Sequence, residues 1–561
     1  MISPLNTVDA GTLPSSPQDA PRRVVNAAPE RLRRVMPGPA WPLHSIAATR
    51  RLETTRMAGL PPHSLMQRAG LSVARLALAV APHARTLWVA CGPGNNGGDG
   101  LEAAMHLQRW GKQVVVTWLG TAATAPADAA LSYERALDAG VPFADAPPAH
   151  FELCIDALLG IGASSAARAP EGRMAQWMAA INAGTAPVLA VDVPTGLNAD
   201  TGHAGAQCVK AQFTLSLLTL KPGLFTGQGR DACGQVWLDD LDELDNLNAV
   251  NALDGPDAHI APIGSIPPGA PIAPVSGAGH DFPAAWLAAA PANPPRAHAS
   301  HKGSYGDVAV IGGAPGMTGA ALLAASAALH FGAGRVFVAL LDGGAMMVDP
   351  ERPELMFRGV GALDFKAMTM VCGCGGGDAV RGPLSKVLSI AAFSVIDADA
   401  LNFISIDTQL QALLRARAAR QAHTVLTPHP LEAARLLCTT VALVQQDRLA
   451  AARQLSERFM CTVVLKGSGT VIAAPGQTLV INPTGNAALA TAGTGDVLAG
   501  MIGARLANAR RNGLSAFQTA CDAVYLHGKA ADEWPAHRAL TAGGLADGLE
   551  MGQMVGQAMP R

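Results

Sequence analysis

Charge is scarce in this chain. Only 15% of its 561 residues are Asp, Glu, Lys or Arg, and the signs nearly cancel to a formal net charge of −2. Without a basic surplus there is no electrostatic footprint for nucleic acid, which is held through clustered Lys and Arg on phosphates. Aromatics are equally sparse at 4%, so any core must be built from Ala, Val, Leu and Ile. No uninterrupted apolar run reaches the ~20 residues needed to cross a bilayer, and the N-terminus has no apolar h-region of a secretory signal. The expectation is a cytoplasmic protein with no membrane partner. The nine cysteines, at 91, 154, 208, 233, 372, 374, 438, 461 and 521, are scattered, mostly among apolar neighbours. They read as small buried hydrophobes in a reducing compartment, not a disulfide framework. Cys372-Gly-Cys374 is the one close pair, and no second Cys/His pair stands near it to complete a zinc site.

Glycine is abundant instead, at 60 residues, and with many alanines it suits close packing of helices on sheets. The length is too great for one ordinary core, so two large domains are expected. Residues 1–41 are rich in Pro, Ala, Ser and Arg without periodicity and read as a mobile arm. Residues 246–299 are dense in Pro, Ala and Gly and read as a linker, with local structure possible near Phe282–Ala290. On either side, at 42–245 and 300–559, short β-rich runs alternate with helical patterns. Strands are expected at Arg85–Cys91, Gln113–Leu119, Phe151–Ala157, Val188–Val193 and Gln212–Thr219. In the second half they fall at Asp307–Ile311, Arg335–Leu340, Met368–Cys372, Phe393–Ile396, Thr424–Leu426 and Thr462–Leu465. Helices are expected at Gly100–Trp110 and Gly319–Phe331. The pattern predicts an α/β protein with two three-layer α/β/α domains and mostly parallel sheets, whose ligands bind at the carboxyl ends of the strands.

Two glycine-rich runs fall at such ends. Near the C-terminus, Ala492-Gly-Thr-Gly-Asp496 precedes an apolar helix. Helix-start N–H groups bind anions, and a carboxylate beside them is placed to take a proton from a hydroxyl attacking a phosphate. Far upstream, Gly92-Pro-Gly-Asn-Asn-Gly-Gly-Asp-Gly100 follows a strand and opens a helix. A glycine loop of this kind serves equally as a left-handed structural turn. Two more strand tips carry carboxylates, Asp156-Ala-Leu-Leu-Gly-Ile-Gly162 and Asp192-Val-Pro-Thr-Gly196, and three polar tips on one sheet edge point to a pocket.

Together with Met66-Gln-Arg-Ala-Gly70 and Lys221-Pro-Gly223, these motifs resemble the NAD(P)H-hydrate epimerase family over roughly Pro42–Leu241. The resemblance implies a Rossmann-like fold and a potassium ion held by Asn96, Asp156 and Thr195, the last standing where the family often has Ser. It further implies that Asn95, Asn96, Gly97, Gly98, Asp99, Gly160, Ile161, Gly162 and Asp192 bind the hydrated nicotinamide nucleotide, with Asp192 catalytic. Hard oxygen donors suit an alkali cation. Lys221 reads as a solvated charge or, more weakly, as part of the chemistry.

In the second half the serial order is more specific. It runs His301-Lys-Gly-Ser-Tyr-Gly306, Gly312-Gly-Ala-Pro-Gly316, Cys372-Gly-Cys-Gly-Gly-Gly377, Val395-Ile-Asp-Ala-Asp399, Thr427-Pro-His-Pro-Leu-Glu432, Leu465-Lys-Gly-Ser-Gly-Thr470, Asn482-Pro-Thr-Gly-Asn486 and Gly493-Thr-Gly-Asp496. This resembles the ADP-dependent NAD(P)H-hydrate dehydratase family, whose fold is ribokinase-like, over His301 to Met559. The resemblance implies Asp496 as catalytic base and a hydrate site of Ala320, Gly375, Gly377, His429 and Asp496. It implies a nucleotide site of Lys466, Gly467, Ser468, Gly469, Thr470 and Gly495. ADP is then the phosphoryl donor, with Mg2+, and leaves as AMP while phosphate is released. A homo-oligomer is also expected. The chain departs from the family's Gly-Pro-Gly-Leu-Gly at Cys374 and Gly376, and from its Gly at Leu431. Asp397 and Asp399 fit a helix cap as well as a site. The competing reading is a ribokinase-type small-molecule kinase carrying an N-terminal nucleotide-binding or scaffolding module.

Overall fold

The computed structural model describes residues 32–163, 170–241, 283–292, 296–344 and 346–549. Most of the expected N-terminal arm (1–31), most of the expected linker (242–282) and the C-terminal end from 550 lie outside the described residues.

Two sheets organise the chain. The first runs Arg33–Arg34, Gln235–Asp239, Phe213–Leu217, Val188–Val191, Leu153–Ala157, Thr86–Cys91, Gln113–Trp118 and Phe143–Ala144. All neighbours are parallel except the first pair. Its central strand Leu153–Ala157 is buried throughout, the mark of a strand covered by helices on both faces.

The second sheet has eleven strands: Met356–Phe357, Arg335–Leu340, Asp307–Gly312, Thr369–Cys372, Phe393–Ile396, His423–Leu426, Thr462–Leu465, Val471–Ala473, Leu479–Ile481, Ala285–Leu287 and Trp41–Leu43. The first seven are parallel, and a meander then carries the sheet outward through antiparallel pairs at Val471–Ala473. Ala285–Leu287, inside the expected linker, adds a parallel strand. Trp41–Leu43, from the start of the N-terminal half, closes the edge antiparallel to it. Pro42 is tolerated there because an edge strand needs only one row of donors. The two halves therefore share a sheet as well as a chain.

The glycines of the upstream run adopt ordinary helical or extended backbone, not left-handed turns. The helix starts at Asn95 and runs to Arg109, five residues earlier than expected. The physical reason is packing. A Cβ on Gly97 would lie 2.0 Å from the Gly92 carbonyl oxygen, and one on Gly100 would lie 2.5 Å from the Ala157 side chain. The glycines bring the helix start down onto the strand ends.

Candidate active sites

The N-terminal pocket is a cavity of about 540 Å³ at the carboxyl ends of the first sheet's strands. Asn95, Asn96, Asp99, Gly160, Ile161, Gly162 and Asp192 all line it. Gly97 and Gly98 are buried behind it, where Gly98 packs against Met66 and Ala129.

Asp156 is completely buried. It accepts from Thr195 N at 2.9 Å, Thr195 Oγ1 at 2.7 Å and Leu158 N at 3.3 Å. Thr195 Oγ1 in turn accepts from Leu159 N at 3.0 Å. Asn96 presses on the same 158–160 loop, since a Cβ on Gly160 would meet its Oδ1 at 2.8 Å. Burial raises the Asp156 carboxyl to about 6 against these hydrogen bonds. The buried Asn96 Nδ2 has no hydrogen-bond partner.

Asp192 sits at φ +67°, a left-handed conformation that a non-glycine residue holds only where the surroundings enforce it. Asp192 is tied down by its own N–H on Leu215 O at 2.8 Å, by Leu217 N on its Oδ1 at 3.2 Å, and by Lys221. The fully buried Lys221 ammonium bonds Asp192 Oδ1, and it also donates to Leu217 O at 2.8 Å and Ser216 Oγ at 3.2 Å. The solvated reading of Lys221 is thereby corrected: tertiary pairing, invisible to local sequence, takes this charge out of water.

Sequence reasoning also missed Glu53, Arg50 and Asp128, which line the same cavity. Glu53 and Arg50 come from the helix Ile46–Met57, which carries charges around much of its circumference and offers no motif to find. Burial, then the Asp192 charge, raises the carboxyls of Glu53 and Asp99, the latter strongly. The pocket thus gathers carboxylates that favour holding protons around one lysine-bonded carboxylate.

The C-terminal site is built on the helix Thr494–Asn512, which starts after Gly493 at φ +90°. First-turn N–H groups have no carbonyl within their own helix. His527, buried in the next helix, fixes this turn by donating from Nε2 to Thr494 O at 3.0 Å. Burial holds that imidazole down at about 4, so it is neutral at physiological pH.

Asp496 stands in the first turn, and burial raises its carboxyl to about 6, with the nearby Asp397 charge adding to the effect. The fully buried Cys374 thiol hydrogen-bonds this carboxylate and pulls the other way. Ligating atoms of Cys374, Asp397 and Asp496 all lie within 4.8 Å of one another. Lys466 Nζ bonds Asp397 Oδ1 at 2.8 Å and lies beside Gly495, whose added Cβ would meet it at 3.4 Å. Burial opposes the lysine charge, but Asp397 and Glu432 outweigh it and raise the group.

Asp397 is thus an ion-pair partner and makes no side-chain cap bond, while Asp399 Oδ2 accepts from Gly377 N at 2.9 Å. Gly375 packs on Ala320, and Gly377 on Met317 and Ala314, so Ala320, Gly375 and Gly377 form one wall. His429 caps its helix: Nδ1 accepts from Leu431 N at 3.1 Å and Nε2 faces Glu432 Oε1 at 3.2 Å. In the 466–470 loop, Gly467 at φ +136° is pressed by Arg448, and Gly469 at φ +59° by the Phe225 carbonyl of the N-terminal half. Thr470 Oγ1 closes the loop on Gly467 O at 3.1 Å.

A family described as NAD(P)H-hydrate dehydratase matches residues 308–550, and one described as YjeF-related protein N-terminus matches residues 62–223. Over 486 residues the chain is 36% identical to the bifunctional NAD(P)H-hydrate repair enzyme Nnr of Coxiella burnetii, covering 85% of this chain and 91% of that one. Its second half is 45% identical over 258 residues to the ADP-dependent (S)-NAD(P)H-hydrate dehydratase of Neisseria meningitidis serogroup B, covering 45% of this chain and 84% of that protein. The crystal structure of ADP/ATP-dependent NAD(P)H-hydrate dehydratase from Bacillus subtilis, co-crystallised with ATP/Mg2+, is 32% identical over 46% of this chain and 91% of that one, with a TM-score of 0.40.

Proposed function

The chain belongs to the family of bifunctional NAD(P)H-hydrate repair enzymes, and on that premise we propose how its two sites divide the work. The N-terminal half interconverts the R and S hydrates of NADH and NADPH. The C-terminal half dehydrates the S form at the expense of ADP. The observation that carries the second step is Asp496, a carboxylate raised to about 6 beside a helix start and the half-buried Lys466 ammonium.

Asp496 takes the proton of the hydrate hydroxyl as the hydroxyl oxygen attacks the terminal phosphorus of ADP, and AMP leaves. Phosphate is a better leaving group than hydroxide, so its loss with a ring proton restores the dihydronicotinamide. The helix-start N–H groups near Gly495 and the Lys466 ammonium stabilise charge developing on the transferred phosphoryl. The 466–470 loop holds the nucleotide, while Ala320, Gly375, Gly377 and His429 bound the hydrate. Mg2+ entering with the nucleotide would neutralise phosphate charge. The carboxylates of Asp397 and Asp496 suit a hard cation, although the Cys374 sulfur does not.

In the N-terminal pocket, Asp192, oriented by Lys221, manages the proton of the water that leaves and returns at C6 with help from the ring nitrogen. Asn96, Asp156 and Thr195 offer amide, carboxylate and hydroxyl oxygens around one loop, and no hydrogen bond ties the Asn96 Nδ2 in place. That donor set fits potassium, which would supply a fixed positive charge organising the 158–160 loop. No helix of the described residues is long and apolar enough to cross a membrane.

The test is product analysis. Supplied S-hydrate and ADP, the protein is expected to yield reduced nucleotide, AMP and free phosphate in equal amounts. A stable phosphorylated product without phosphate release would support the kinase reading instead.

A further inference from the structure

The segment 221–227 has one end in each site. It begins at Lys221, bonded to Asp192, and six residues on it reaches the 466–470 loop of the other half. There Gly227 N donates to Ser468 O at 3.0 Å, and Ser468 Oγ donates back to Gly227 O at 2.9 Å. Thr226, completely buried, donates from Oγ1 to Gly469 O at 2.9 Å and accepts from Arg448 Nε at 3.2 Å. Arg448 also donates to Leu465 O at 3.1 Å and Lys466 O at 3.2 Å, and to Gln445 Oε1 at 2.6 Å. It is only 1% exposed, and these hydrogen-bond partners carry no charge.

Resting on the reading of 466–470 as the ADP loop, we propose that the N-terminal half completes the nucleotide site of the C-terminal half, with Thr226 as the positioning residue. Two physical points support this. A loop with glycines at two of five positions loses much conformational freedom on ordering, and ordering it before the ligand arrives lowers the cost of binding. Thr226, Gly227 and Arg448 bond the carbonyls of Leu465, Lys466, Ser468 and Gly469, at the start of the loop and within it, by way of three different donors. In addition, a buried guanidinium without a carboxylate is an uncompensated positive charge, and directly beneath this loop it favours an anionic occupant such as a nucleotide diphosphate. The glycine at 469 fits the same account. Its Cβ would lie 2.0 Å from the Phe225 carbonyl oxygen, so its lack of a side chain serves the junction between the halves.

The experiment uses the full chain and measures ADP affinity by calorimetry beside steady-state dehydration and epimerisation. Thr226→Val removes the hydroxyl at nearly constant volume. Losing one buried hydrogen-bond bridge should raise both Kd and KM for ADP about 5- to 10-fold while kcat stays within twofold. Thr226→Ser, which keeps the hydroxyl, should bind ADP as the parent does. Thr226→Ala replaces the valine variant where added branching disturbs folding. Unchanged ADP affinity in a folded hydroxyl-deleted variant overturns the proposal, as does a fall in kcat at constant KM. Lys466→Ala separates the two layers. If it leaves ADP binding intact, the nucleotide-loop reading itself is lost; if it weakens binding while Thr226→Val does not, only the role of the N-terminal half is lost.

Discussion

Asp496 and Cys374 make the dehydratase testable at single atoms. Asp496→Asn preserves size and removes the proposed base, so ADP should still bind while turnover falls by about 10²-fold or more, read by single-turnover kinetics. The acid limb of the pH profile carries a second test. A base raised to about 6 is protonated below that value, so dehydration should rise through pH ~6 and level off above it. The Cys374 thiol stabilises the ionised carboxylate. Removing it in Cys374→Ala should therefore move the limb to higher pH, while Cys374→Ser, still a donor, should leave it nearly in place. An unmoved limb in the alanine variant would show that the thiol does not tune the base.

Elements explain how far the sequence could be read. Strands Arg335–Leu340, Phe393–Ile396 and Thr462–Leu465 run as expected to the residue, because a parallel strand covered on both faces is a bounded apolar run. The three-residue strands Val471–Ala473 and Leu479–Ile481 were not legible, since neither is long enough to show a periodicity, and Ala285–Leu287 was legible only as local structure near Phe282–Ala290, because its partner lies far along the chain. The motif residues of the N-terminal pocket were legible, but Glu53 and the buried pairing of Lys221 were not, because neither leaves a local pattern. The element scale also carries a prediction for the loops joined by Asp156. Its carboxyl is raised to about 6 in the folded state, so the folded chain favours the protonated form. Without an ion, this group's contribution is fully present below its unfolded value and is lost as pH rises through about 6. Potassium held there as proposed would bind the ionised form and offset that loss. Added potassium should thus raise Tm, by several degrees at saturation, more at pH 8 than at pH 5. Asp156→Ala should remove the effect and weaken hydrate binding in an epimerisation assay run across a potassium series. Equal potassium responses in the parent and Asp156→Ala would defeat the assignment.

For the whole molecule, a Pro- and Ala-rich connection suggests halves that come apart freely, and the structure argues otherwise. Besides the Thr226 junction, Arg230 donates to Gly485 O at 2.8 Å across the halves, and Trp41–Leu43 caps the second sheet through Ala285–Leu287. A C-terminal fragment must therefore be cut with the sheet in mind. Starting at 291 removes Ala285–Leu287 and bares Leu479–Ile481, a buried apolar strand, as a new edge able to pair with other chains. Starting at 283 keeps Ala285–Leu287 and loses only the short, proline-bearing strand outside it. Both fragments should leave R-hydrate to slow spontaneous epimerisation and consume the S form with a raised KM for ADP. The 291 fragment should in addition unfold at a lower temperature and aggregate more readily by light scattering. Equal Tm and solubility for the two would show that Ala285–Leu287 does not hold the sheet edge. Rapid consumption of both epimers by the 283 fragment would remove the need for an epimerase in the N-terminal half.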